Sequence, residues 1–91
     1  MRLNDFMEKI DQQAKQMEMI GFKGDVLFTS IQQFVDKQIF KLTTGEMNDD
    51  EKKVIESLHD KAKTKNALEK YRSMKNSGNV NPEELAKEIL K

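Results

Sequence analysis

A chain of 91 residues with 36% hydrophobic and 35% charged side chains makes one domain with a thin core. It has no cysteine, which excludes a disulfide framework and cysteine-ligated zinc. Its formal net charge is zero, so bulk attraction to nucleic acid or an anionic membrane is not implied, although residues 1–51 carry a net −4 and residues 52–91 a net +4.

One proline and four glycines in a sequence dominated by Lys, Glu, Gln and Leu predict an all-α protein. The charged start MRLNDFMEKIDQ has no apolar secretory region, and no apolar run reaches the ~18–20 residues of a membrane span. A cytoplasmic location is expected. Fourteen lysines stand against two arginines, a bias of AT-rich genomes that points to a low-GC bacterium, its phage or a mobile element.

The first predicted helix covers residues 4–20. Asn4 is the expected N-cap, and Leu3, Met7, Ile10, Ala14 and Met17 recur with heptad-like spacing. Gly21-Phe22-Lys23-Gly24 ends it, with Gly21 suited to the left-handed position after a helix. Gly-x-x-Gly also occurs in K-homology domains, but the flanking strands are missing and a turn is the better reading.

The second helix, residues 25–42, is expected to be capped by Asp25. Phe28, Ile31, Val35, Ile39 and Leu42 form its stripe, flanked by Leu27, Phe34 and Phe40. This breadth predicts the most buried helix of the fold, held between the first helix and the early part of the third.

An acidic connection follows. Asn48 and Glu51 fit a capping box, and the spacing of Asp49 and Asp50 does not fit a calcium loop. From there one long helix is predicted over residues 49–76. The apolar phase shifts between Ala62 and Leu68, so the helix is expected to turn its buried face there, with or without a kink, and a break near Asn66 is the alternative. The last helix is the best specified. Asn81 caps, Pro82 occupies the first helical position, Glu84 closes a capping box, and Val80 and Leu85 stand at staple positions.

The residues Leu68, Tyr71 and Met74, followed by Gly78, Val80, Glu83, Glu84 and Leu85, resemble the SHOCT family, the short C-terminal domain of bacterial and phage proteins. The resemblance covers residues 66–91. It implies a small helical hairpin acting in oligomerisation or binding rather than catalysis. Asn81-Pro82 replaces that family's hydroxyl cap, and Leu85 stands where an aromatic is common.

Catalysis needs a nucleophile, a base or a metal in a concave site. His59 is the only imidazole, its helical neighbours Ile55 and Lys63 are not ligands, and Ser57 would lie on another face. No enzyme, cofactor, metal site or small-molecule substrate is expected.

The expected fold is a single all-α domain of three to four helices, with residues 1–65 as core and 66–91 as a C-terminal helix–turn–helix hairpin, docked or projecting. The expected function is a non-catalytic interaction or self-assembly module whose partner is itself or another protein. Its candidate core or oligomer contacts are Met7, Ile10, Met17, Phe28, Ile31, Phe34 and Val35. The alternative is nucleic-acid binding through a basic arm of Lys61, Lys63, Lys65, Lys70, Arg72 and Lys75, with Tyr71 stacking on a base. The preferred reading of the same residues is a solvated helix face or contact with an acidic protein partner. A more remote alternative is a phage inhibitor docking a helix into a host protein's groove.

Overall fold

In the computed structural model, which describes all 91 residues, the chain forms five helices and no strand: α1 (Leu3–Met19), α2 (Gly24–Lys41), α3 (Asp49–Ser57), α4 (Lys61–Asn76) and α5 (Pro82–Ile89). The all-α class follows from the helical rhythm of the apolar positions. The count exceeds the expected three to four because the long third helix is interrupted.

The interruption lies at residues 58–60, upstream of both the phase shift and Asn66. α3 closes with the Leu58 amide donating to the carbonyls of Val54 and Ile55. Asp60 then caps α4, its Oδ1 accepting from the Ala62 amide at 2.9 Å. The Leu58 carbonyl, freed by the break, accepts from Gln32 Nε2 at 2.8 Å and Thr64 Oγ at 3.1 Å. Thr64 is buried, and this hydrogen bond satisfies its hydroxyl. The break lets the chain rotate its buried face from Val54, Ile55 and Leu58 to Ala67, Leu68 and Tyr71.

The most buried helix is α1, not α2. Leu3, Phe6, Met7, Ile10, Asp11 and Ala14 are all buried on it, because α2, α4 and α5 pack around it. Along its 18 residues α2 buries only Leu27, Ile31 and Val35. It lies against α1 and α4, and α3 packs chiefly on α5 instead of covering α2.

The C-terminal hairpin is docked. Leu85 and Ala86 are buried within the common core, where α5 touches α1, α3 and α4. The radius of gyration, 12.3 Å, is close to the ~12 Å of a fully compact chain this long.

Two predicted caps differ. Asn4 lies inside α1, whose N-cap is Arg2 with no side-chain cap of its own. The cap comes from α3. Glu51 Oε1 accepts from the Asn48 amide at 3.3 Å, completing the predicted capping box, while Oε2 accepts from the Leu3 amide at 2.8 Å. Arg2 Nη2 pairs with the same carboxylate at 2.8 Å. One buried side chain thus caps two helices and ties the chain's start to α3. Asp25 is likewise not a cap. α2 begins one residue earlier, behind Lys23, without a side-chain cap.

At the helix ends the glycine reading holds. Gly21 (φ 103°) and Gly78 (φ 78°) each follow a helix in the left-handed region. The paired bonds Phe22 N–H to Met17 O and Gly21 N–H to Glu18 O form a Schellman motif. Asn79 and Gly78 repeat it with Met74 and Lys75.

Candidate interaction surface

The basic arm falls wholly on α4, and its charges go in different directions. Arg72 and Lys75 face α1. Arg72 Nε donates to Asp11 Oδ1 at 2.5 Å and Nη2 to Glu18 at 2.7 Å. Lys75 Nζ reaches both oxygens of Glu8 at 2.8 Å and Asp11 Oδ2 at 3.1 Å. Lys15 adds a third cation to Asp11 at 3.2 Å. Tyr71 is buried, and its hydroxyl donates to Glu8. Its ring is not open to a base.

Titration follows this arrangement. The Lys75 ammonium, with Tyr71, holds the Glu8 carboxyl below its ordinary value. Burial pushes Asp11 up, but the hydrogen bonds from Arg72, Lys75 and Lys15 outweigh it, and the carboxyl lies low. Burial and the bond to Glu8 push the Tyr71 phenol up. At the other end of α1, burial raises Glu51, and the bonds from Arg2, Leu3 and Asn48 bring it below its usual value.

The remaining lysines of the arm are less engaged. Lys61 pairs with Asp25 at 2.6 Å, and Lys70 lies 3.9 Å from Glu88. Lys65 sits over the Phe28 ring, 5.2 Å from its centre, a cation–π placement. Lys63 is exposed and makes no ion pair. The groove between α4 and α5, about 580 Å³, is lined by Lys70, Glu84, Lys87 and Glu88 with one apolar residue. It holds opposed charges and no reactive pair. His59 is exposed, and nowhere do three or more His, Asp or Glu side chains form a group able to hold a metal.

Of the apolar candidates, Met7, Ile10, Ile31 and Val35 are fully buried in the protein's own core. Met17, Phe28 and Phe34 are partly buried against it. Part of the apolar surface left over is misplaced by the periodic reading, which set Phe40 beside the buried stripe of α2. That surface comprises Met19 (86% exposed), Ile20 (73%), Val26 (63%) and the less exposed Phe22 around the α1–α2 corner, Phe40 (92%) at the far end of α2, and the less exposed Leu90 after α5. The methionine, isoleucine and phenylalanine around Gly21 were a visible signal, but the turn chemistry of the paired glycines masked it.

No helix is long and apolar enough to cross a membrane. No family model, curated protein or solved structure matches the chain.

Proposed function

We propose that this chain is a non-catalytic protein-interaction module that engages its partner through the bare side of α2 and the α1–α2 corner. The observation that carries this reading is the exposure of Met19, Ile20, Val26 and Phe40, the four most exposed large apolar side chains of the molecule. Large side chains left in water cost the hydrophobic free energy their burial would supply, and the exposed apolar group at the α1–α2 corner is of the kind that marks contact sites. The hairpin's resemblance to the SHOCT family points the same way.

Nucleic-acid binding through the arm has less support. Arg72 and Lys75 are neutralised within the fold, and Tyr71 is not free to stack. Lys63 and Lys65 alone are too few for the dense phosphate contact that drives such binding.

The reading is tested by placing a photo-reactive phenylalanine analogue at Phe22 or Phe40 in the native cell. Discrete cross-linked adducts that disappear when Ile20→Lys or Val26→Lys is added are expected. Absence of adducts from both positions, with the protein folded, overturns the reading.

A further inference from the structure

The uncovered side of α2 has a pattern of its own. Leu27, Ile31 and Val35 face the core. On the opposite side Val26, Gln33 and Phe40 recur at intervals of seven, which keeps them nearly in line along the helix, about 21 Å from end to end. All three are exposed. Asp36 and Lys37, also exposed, flank this line on opposite sides, because successive residues are turned by ~100°. Asp36 accepts a hydrogen bond from Gln32 at 2.8 Å, but neither Asp36 nor Lys37 makes an ion pair within the chain. The stripe therefore has two apolar ends, one polar centre, and one acidic and one basic flank.

We propose that a second copy of this chain covers this stripe, the two α2 helices running side by side in the same direction about a twofold axis. The proposal rests on the interaction reading above and names its partner. Charge decides both occupant and orientation. In the parallel arrangement the acidic flank of one helix meets the basic flank of the other, so Asp36 faces Lys37 of the second copy, twice by symmetry. An antiparallel arrangement sets Asp36 flank against Asp36 flank and Lys37 against Lys37, and like charges across a seam are unfavourable. A foreign partner selected by charge would call for an excess of one sign, and this face has none.

The parallel pairing also matches like with like along the line: Val26 on Val26, Phe40 on Phe40, and Gln33 on Gln33. A polar residue at one seam position fixes register at some cost in stability. The same twofold operation brings the two α1–α2 corners to one end of the contact. The area is modest. An 18-residue helix is about 27 Å long, so the contact falls at the small end of specific interfaces and the dimer is weak and concentration-dependent.

Because the chain has no cysteine, single-cysteine variants read the geometry directly. Val26→Cys, Gln33→Cys and Phe40→Cys, all at exposed positions, are each expected to form a disulfide-linked homodimer of the purified full chain under mild oxidation. Light scattering should show mass rising from monomer to dimer between micromolar and millimolar concentration. Asp36→Lys or Lys37→Asp should each weaken the dimer several-fold, and combining the two should restore it. Linkage at Gln33 alone overturns the parallel arrangement. So does an unchanged dimer in Phe40→Lys, whose helicity and melting temperature serve as the folding control. A chain that stays monomeric and never links, yet gives foreign adducts at Phe22 or Phe40 in the cell, overturns self-pairing while the interaction reading stands. No dimer and no adduct of any kind removes both.

Discussion

Asp11 is the residue on which the α1–α4 contact turns. Its side chain has no exposed surface, and it accepts from Arg72, Lys75 and Lys15. A buried carboxylate is costly unless it is paired and hydrogen-bonded, and here three cations carry that load. The cations themselves are each about a third exposed or more, so water screens part of the attraction. Asp11→Asn keeps the shape and removes the charge. It is expected to lower unfolding free energy by ~1.5–3 kcal/mol, the range for hydrogen bonds to charged groups, measured as a lower urea midpoint at unchanged slope. An unchanged midpoint would mean that solvent carries the two α4 cations as well as Asp11 does. Nothing in the local sequence discloses this cluster. Asp11 and Arg72 are 61 positions apart, and periodicity records that a position is polar, not which distant charge it meets.

At the scale of elements, legibility followed sequence distance. α5 was readable because its cap, its proline and its acidic first turn lie within four residues, and Asn81 Oδ1 does accept from the Glu83 and Glu84 amides at 2.9 and 3.4 Å. The expected reciprocal bond, from the Asn81 amide to the Glu84 carboxylate, is absent from the fold, the Glu84 side chain being exposed, so α5 has the cap without the full box. The α3–α4 break was not read because its signal, Asp60 ahead of Lys61-Ala62, sits between residues of high helix propensity, while the shift in apolar phase appears only downstream. The trans-cap by Glu51 was beyond local reading, since Leu3 lies 48 positions away. Asp60→Ala removes the only side-chain acceptor at the start of α4 and should cost ~1 kcal/mol, read as a drop in melting temperature of ~4–8 °C for a domain this size. The paired measurement is amide exchange of residues 61–64, which should accelerate if the first turn of α4 frays. Equal exchange would show that the Leu58 carbonyl, through Thr64 and Gln32, sets the turn without the cap.

For the whole molecule, three carboxylates bind the helices together: Glu8 and Asp11 join α1 to α4, and Glu51 joins α3 to the start of α1. All three titrate below their ordinary values in the folded chain. Their unfolded values lie near ~4, so in the acid range the unfolded chain binds more protons than the folded one. Stability then rises with pH across that window, by up to ~1.4 kcal/mol per pH unit for each carboxylate in play. The contribution is fully present above the unfolded values and is lost as pH falls through the folded ones. The paired lysine and the tyrosine do not oppose this at low pH, because both lie above their ordinary values and stay protonated throughout. Urea midpoints should therefore be level between about pH 7 and 5 and fall steeply below about pH 4. The Asp11→Asn chain should show a shallower fall, since one of the three linked protons is gone. Equal acid slopes for the two proteins would mean that Asp11 releases its proton no more readily in the fold than in the open chain, and that the α1–α4 contact is held by apolar burial rather than by charge.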